Sequence, residues 1–381
     1  MIDSRCGEGM GNCLRASVLL PALCLMSGAA SAEESGETGY DRIWGYADLY
    51  RGPEGAFLSS FALKGRLHID AMHFEEGAED YDEFTWRRFR FGFEAGFAGG
   101  WLARIDYDFD LNAVLGERFD RLTEAYIGWK PGDGRDLRIL KHSAGFTLDG
   151  ATSSNKLLTL QRNNLTNNLW FTDEYFTGIS LKGESDGWRY RAGVFSNEDE
   201  DGISTFDASY FTLTSLGYNW GPQLGLDRAS LRLDHVYNDR DPDRATPDFG
   251  TVVSLSGHWE LGRAGLWTDL ASGNGQYGQN DIWGLSLMPF YSTSETTQWV
   301  MRYTYIDSDG PNGIRLGRYH GEVTLGRGDR YNEIYAGVNL FFYGHKLKWQ
   351  TGIEYAVLDD SAEDGGRHDG WGITTGLRIH W

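Results

Sequence analysis

The sequence predicts an all-β chain, a transmembrane antiparallel up-and-down β-barrel of about sixteen strands with long extracellular loops and short periplasmic turns. Three observations carry this prediction. Apolar and polar residues alternate in segments of roughly ten residues, the length a tilted membrane strand needs. In each clear segment one parity is rich in large aromatics and the other in charge. The connections between segments alternate between short and long. A soluble sandwich strand with its aromatic face turned inward shows the first two features, but it gives no reason for the third.

The clearest segment is the hairpin Trp86–Asp110. Phe89, Phe91 and Phe93 share one parity, with Arg88, Arg90 and Glu94 on the other. After the Gly-Gly break, Trp101, Ala103, Ile105, Tyr107 and Phe109 oppose Arg104, Asp106, Asp108 and Asp110. Period-two alternation over that length means β-strand, and the short join makes an antiparallel pair.

The bulk composition agrees. The chain of 381 residues has 51 Gly and 8 Pro, with a mean hydropathy of -0.45. No mature segment approaches the roughly 20 apolar residues of a membrane helix. Arg15, the apolar run Ala16–Met26 and Ala30-Ser31-Ala32 ahead of Glu33 read as a secretory signal, with Met10 an alternative start. Leu23 is too large to precede a lipidated Cys24. Cys6, Cys13 and Cys24 all fall in this segment, so the mature chain has no cysteine for disulfides, thiolate metal sites or nucleophiles. The expected organisation is a signal peptide over 1–32, a periplasmic lead-in over 33–60 and a barrel over 61–381.

Taken in order, alternation starts at Phe61 and runs to Ala71. Glu75–Glu83 reads as an acidic connection, followed by the hairpin. Arg121–Lys130 and Arg135–His142 flank the turn Pro131-Gly132-Asp133-Gly134. Ser143–Asp173 is a long stretch without alternation, rich in Asn, Thr and Ser. Glu174–Gly183 and Gly187–Phe195 follow. Weaker strands come near Ala208–Tyr218, Asp227–Tyr237, Phe249–Glu260, Ala264–Ala271 and Asp281–Phe290. Thr296–Asp307, Asn332–Phe342, Lys346–Tyr355 and Gly370–Trp381 complete the set. Glu75–Thr85, Leu111–Asp120, Ser143–Asp173, Ser196–Asp207, Asn238–Asp248, Ser308–Tyr331 and Ala356–Asp369 are the long connections, and both termini fall on the short-turn side.

Several motifs resemble the phosphate-selective porin O and P family, over most of Phe61–Trp381. They are Arg87-Arg88-Phe89-Arg90-Phe91-Gly92-Phe93-Glu94 with Trp101, Leu122-Thr123-Glu124-Ala125-Tyr126-Ile127-Gly128-Trp129, Phe146-Thr147-Leu148 with Thr152-Ser153-Ser154, Gly187–Phe195, and Ala336–Phe342. These are framework motifs and nearly silent on substrate. The resemblance implies an outer-membrane channel of sixteen strands, usually a homotrimer, whose third long loop folds into the lumen as a constriction, here Ser143–Asp173. It also places Trp381 where such proteins usually carry a C-terminal Phe recognised by the barrel assembly machinery, Trp being a tolerable variant. The surroundings implied are outer-membrane lipid and lipopolysaccharide, with no nucleic acid.

A formal charge of -20 argues at first against passage of anions, but its distribution matters. If the aromatic parity faces lipid, the lumen parity carries Lys64, Arg66, Arg88, Arg90, Arg104, Arg138, Lys182, Arg189, Arg191, Arg232, Arg302, Lys346, Lys348 and Arg378. The acids on that parity are Asp70, Glu94, Asp106, Asp108, Asp110, Glu124, Asp234, Glu333 and Glu354. A ladder of Arg and Lys favours anions, because guanidinium groups replace the hydration lost from phosphate-like oxygens. The candidate channel-lining residues are Lys64, Arg66, Arg88, Arg90, Arg104, Arg138, Arg189 and Arg191. The bland alternative is a wet wall in which Arg–Asp pairs stabilise the strands and select nothing. The expected constriction offers only Lys156 and Arg162 as cations. Its Thr152, Ser153, Ser154 and Asn155 suit neutral polar solutes instead.

Catalytic, cofactor and metal chemistry finds little support. Gly273-Asn274-Gly275-Gln276-Tyr277-Gly278 matches a dinucleotide fingerprint, but a strand follows it where a helix is needed. His68 and His73 lie on opposite faces of one strand. Asp106, Asp108 and Asp110 put three carboxylates on one face, which a divalent cation could use, although a solvated pore-mouth patch is the better explanation. The leading function is passive diffusion of small anions such as phosphate or polyphosphate. The competing ones are a porin for small polar organic solutes, an outer-membrane barrel enzyme and a plugged structural barrel.

Overall fold

The computed structural model describes residues 38–381 apart from 114, 115, 117, 173, 199, 200 and 242. The signal segment 1–32 therefore lies outside the described residues. The described part of the N-terminal unit is a helix, Gly39–Gly45, closed by a capping box in which Thr38 and Asp41 satisfy each other's backbone N–H groups.

The second unit, from Ala47 onward, is the barrel. A short strand, Asp48–Arg51, pairs with the start of the first barrel strand. The sixteen barrel strands are β1 Leu58–Glu76, β2 Glu79–Phe97, β3 Trp101–Phe109, β4 Phe119–Trp129, β5 Asp136–Ser143, β6 Tyr175–Ser185, β7 Trp188–Ser196, β8 Tyr210–Asn219, β9 Arg228–Asn238, β10 Phe249–Leu261, β11 Ala264–Gly275, β12 Ile282–Ser292, β13 Thr297–Ser308, β14 Arg330–Tyr343, β15 Leu347–Asp359 and β16 His368–His380. Each pairs antiparallel with the next, and β16 pairs with β1 from Trp371 opposite Glu75 to His380 opposite Arg66. The ring is closed, as lipid demands of a sheet whose edge groups would otherwise have no partner.

The wall is inside-out relative to a soluble protein. Trp101, Ile127, Trp188, Leu216, Trp283, Trp299 and Ile353 face outward and exposed, while Arg90, Asp106, Asp234, Asp269, Thr304 and Lys348 are buried within. Aromatic pairs such as Phe61–Phe93 and Trp101–Trp129 stack across neighbouring strands on the outer face.

Four local features differ from the sequence expectations. The acidic stretch 75–85 is not a long loop. β1 and β2, 19 residues each, run on to a two-residue turn at 77–78, with Gly77 at φ 60°. Above the membrane both faces of a strand are wet, so the alternation that marks a strand disappears there. Near the middle of this hairpin the register shifts between His68/Arg88 and Asp70/Thr85, so Trp86 and Arg87 together oppose Ile69. That bulge turns Arg87 into the lumen, where simple alternation would not place it. The strands β8–β12 read weakly because part of their inner face is apolar too, with Phe211, Leu213, Val236, Phe249 and Val252 all buried. Lys346, expected on the wall, sits in the short turn between β14 and β15.

The seam has a specific fit. Trp381 exchanges backbone hydrogen bonds with Gly65 at 3.1 and 3.2 Å, and its ring lies over the hydrogen atoms of that glycine. A Cβ at position 65 would overlap the Trp381 ring and sit 2.7 Å from the Arg90 carbonyl oxygen. Gly65→Val is expected to destabilise the barrel by about 1–3 kcal/mol through overpacking. The measurement is the temperature at which the folded band of the detergent-solubilised protein converts to the unfolded band on a gel. An unchanged transition temperature would show that Trp381 is not needed at the seam.

Candidate functional site

Residues 144–174, between β5 and β6, fold into the barrel and divide its wall. The base is pinned where the Ala144 N–H donates to the Glu174 carbonyl oxygen at 2.9 Å. Two wall carboxylates then grip the backbone: Asp234 on β9 accepts from the Thr147 N–H at 3.0 Å, and Asp269 on β11 accepts from the Leu148 N–H at 2.8 Å. Thr147 takes φ 63° there. Behind these bonds Phe146, Leu165, Leu169 and Phe171 pack on the inward Phe176, Phe195, Phe211 and Phe249. Phe171 meets Phe211 at 5.0 Å, and Phe195 stacks on Phe211 at 5.1 Å.

The far side of the loop is held by polar wall groups. Lys348 on β15 donates to the Leu157 carbonyl oxygen at 2.8 Å, and Asn339 on β14 donates to that of Leu158 at 2.9 Å. Arg302 on β13 donates to Thr159 Oγ1 and to the Gln161 carbonyl oxygen, at 2.8 and 3.0 Å. Gln161 in turn donates to Asp70 on β1 at 2.8 Å. The loop thus covers much of the inner face from β9 round to β16 and also reaches β1 and β7. The eight candidate lining residues lie on β1, β2, β3, β5 and β7.

The loop residues named from sequence divide into structure and lining. Thr152 turns its hydroxyl back to the Leu148 carbonyl oxygen at 2.7 Å. Arg162 is a clamp: it donates to the Asp149 and Thr152 carbonyl oxygens, lies 3.8 Å from Glu174 and stacks 4.4 Å from the Trp170 ring centroid. Ser154 and Asn155 reach β1, where Arg66 donates to Ser154 Oγ at 2.7 Å and His68 lies 3.1 Å from Asn155. Ser153 and Lys156 are exposed at this tip.

The wall candidates also divide. Lys64 pairs with Glu94 at 3.4 Å, Arg90 with Asp108 at 2.9 Å, Arg104 with Asp106, Arg138 with Asp136 at 3.0 Å and Arg189 with Glu184 at 3.2 Å. Arg191 is spent on the carbonyl oxygens of Ser143 and Gly145. Among the described residues Arg66 and Arg88 make no ion pair. The Asp106, Asp108 and Asp110 stripe is largely engaged: Arg104 and Arg90 take the first two, and Asp110 accepts the Asn112 N–H at 2.8 Å.

On the long-loop side of the constriction lies a cavity of about 580 Å³. Its lining has seven arginines, Arg87, Arg88, Arg90, Arg121, Arg162, Arg315 and Arg318, against Asp108, Asp110, Asp120, Glu174 and Glu322. Sequence alternation missed Arg87, which the bulge delivers, and Arg318, which a long loop returns to the lumen. The doublet Arg87-Arg88 inside a strand was the available signal for the first. Arg87 and Arg318, like Arg88, make no ion pair among the described residues.

Glu174 reports the local field. Burial by itself raises its carboxyl, but Arg162, Arg90, Arg88 and Arg66 together hold it down to about 2. Its ionisation therefore stabilises the fold at pH values above the ordinary carboxylate range of about 4.3. That contribution is lost only as the pH falls through about 2.

The other motifs stand apart. Gly273–Gly275 ends β11 and residues 276–281 form a turn. His73, on the outer face of the β1–β2 hairpin, lies 2.8 Å from Asp82 and 3.4 Å from Glu75.

Arg162→Ala removes the clamp that folds the loop on itself. Single-channel recordings are expected to show larger, noisier openings, because a loop no longer tied to Asp149 and Trp170 leaves the lumen intermittently. Wild-type conductance with quiet openings would show that the wall contacts alone retain it.

Residues 61–245 match the family model of phosphate-selective porins O and P. No curated protein sequence matches the chain. Among solved structures the fold is similar to the anion-selective porin of Comamonas acidovorans, with TM-score 0.60, 13% identity and coverage of 84% of this chain and 99% of that one. It is similar also to the outer-membrane channel DcaP of Acinetobacter baumannii, with TM-score 0.55, 12% identity and coverage of 87% and 99%. OprB of Pseudomonas putida gives TM-score 0.56, 11% identity and coverage of 90% and 96%. Residues 61–245 thus match phosphate-selective porins O and P, and with a closed ring of sixteen strands around an inserted loop the chain is a bacterial outer-membrane barrel of porin type.

Proposed function

We propose that this porin passes small anions, phosphate-like oxyanions foremost, by passive diffusion along the β1–β5 and β7 arc. The observation that carries the reading is the set of cations left over after pairing. Arg66, Arg87, Arg88 and Arg318 make no ion pair among the described residues, although acids are close by. A guanidinium presents a planar fork of donors that suits oxyanions. The paired arginines, Arg90, Arg104, Arg138 and Arg189, stabilise the wall and contribute less to selection. The family's name and the description of the Comamonas protein point the same way. In this reading the protein is a channel without catalytic chemistry. It is exported by its signal segment, assembled through Trp381 into lipid and lipopolysaccharide, and trimeric.

A second reading, passage of small polar organic solutes, is favoured by Gln161 and Asn167 in the cavity lining and by the exposed Ser153 at the loop tip.

Reversal potential across a planar bilayer under a salt gradient separates the two. The expected result is anion preference, with open-channel block by added phosphate. Arg88→Ala should reduce the anion-to-cation permeability ratio by roughly fivefold, the equivalent of about 1 kcal/mol, while Arg104→Ala should change it less. Cation preference, or equal effects of the two variants, would defeat the anion reading.

A further inference from the structure

The loop 309–329, between β13 and β14, carries Arg318 to the cavity, and a chain of buried side chains anchors it. His320, in the one-turn helix His320–Val323, places Nδ1 2.8 Å from Nε2 of His368 on β16. His368 Nδ1 lies 2.8 Å from Glu76 Oε2 on β1 and 2.9 Å from Thr324 Oγ1, and Thr324 also donates to Glu76. On the other flank His320 Nε2 lies 3.4 Å from Glu354 Oε1 on β15. Both imidazoles are buried, His320 at 2% and His368 at 0% relative exposure. Their rings meet edge-on at 4.7 Å, with Phe74 at 4.7 Å from His320.

A nitrogen–nitrogen contact of this length needs one N–H and one lone pair. With one proton on the facing nitrogens the chain is continuous: Glu76 accepts from His368 Nδ1–H, His368 Nε2–H donates to His320, and His320 Nε2 faces Glu354 at 3.4 Å. That arrangement puts three protons on four ring nitrogens, so the pair carries one positive charge, which is tolerated between two carboxylates. Loading both imidazoles sets N–H against N–H and two like charges against each other, away from bulk water.

We propose that His320 and His368 are positioning residues that hold Arg318 at the cavity and release it when acid on the long-loop side protonates both. The charged and titratable groups facing the pair are Glu76 on β1, Glu354 on β15 and Asp369 on β16, with Arg318, Tyr319 and Glu322 on the loop itself. Behind Glu354 stand Arg302 on β13 and Glu333 on β14, paired with each other at 2.6 Å; Arg302 also lies 3.4 Å from Glu354, the same distance as His320. Tyr319 donates to Asp70 at 2.9 Å independently of the imidazoles, so the loop swings and stays tethered. Glu174 does not titrate until about pH 2 and cannot imitate the effect. The consequence for selectivity rests on the anion-channel reading, whereas the switch itself does not.

The test uses the full barrel in planar bilayers, with only the long-loop side taken from about pH 7.5 to about pH 4.5, a span that crosses imidazole titration. The wild type is expected to show a reversible conductance step and a fall of about threefold in anion-to-cation permeability ratio, the factor that ~0.65 kcal/mol of lost attraction produces. His368→Gln and His320→Asn keep hydrogen-bonding groups that do not titrate, and are expected to lose the step while retaining wild-type conductance at the higher pH. No step in the wild type, or the same step in both variants, would overturn the proposal. If the variants assemble poorly, a nitroxide on Gly321→Cys, where an added Cβ finds its nearest atom at 4.0 Å, reads the loop with both histidines in place. Its mobility should rise on acidification, and an unchanged spectrum overturns the proposal equally. A channel with no anion preference at the higher pH would defeat the anion reading alone, since the conductance step and the nitroxide still decide the switch.

Discussion

The pairing of β16 with β1 is the contact on which everything else in this molecule depends. At hydrocarbon depth there is no water to satisfy a free N–H or C=O, so an open sheet edge is excluded and the ladder must close on itself. Once it closes, the outward parity has to be apolar and the inward parity inherits every polar group. The last residue takes part: Trp381 seals the seam over Gly65, where any side chain would collide with it. The inverted burial of the wall, with Trp283 exposed and Lys348 enclosed, follows from closure.

A polar interior permits an unusual way of holding a loop. In a soluble protein the segment 144–174 would be retained mostly by apolar packing. Here the inward phenylalanines of β6–β8 and β10 supply part of that packing, and buried wall groups such as Asp234, Asp269, Arg302 and Lys348 supply the rest by bonding loop backbone. Buried charges of this kind are costly unless fully partnered, which commits the β9–β16 arc to holding the loop. The loop therefore decides which inward side chains of the wall are covered.

The electrostatics follow from the same division. A chain of net charge -20 keeps much of its acid in the outer loops and on the exposed hairpin, while arginines gather where the lumen narrows. Many of these are neutralised by neighbouring carboxylates. Arg66, Arg87, Arg88 and Arg318 make no ion pair among the described residues, and the depressed Glu174 carboxyl reflects the joint field of Arg162, Arg90, Arg88 and Arg66. One of those guanidiniums belongs to a loop secured by two histidines, so the lining is partly a matter of loop position.

How far the sequence reaches can be judged from particular residues. Period-two alternation at Phe89–Phe93 or Trp371–Trp381 marks a strand because one side meets lipid and the other water, a contrast written directly in residue order. Strand number, strand type and the lumen parity of Arg88, Arg90, Arg104, Arg138, Arg189 and Arg191 were therefore determined by the sequence alone. The contrast fails where both faces meet the same medium. Residues 75–85 are wet on both sides, and β8–β12 are partly apolar on both, so the first looked like a loop and the second like weak strands. The site was less legible still. Whether an arginine is free or spent depends on what stands across the strand or on a distant loop, as Asp108 does for Arg90 and the Gly145 carbonyl for Arg191. A single bulge put Arg87 into the lumen, and a loop fold brought Arg318 beside it. Those are facts of three-dimensional neighbourhood, and only the tertiary structure decided them, because pairing partners far apart in the chain leave no periodic trace in it.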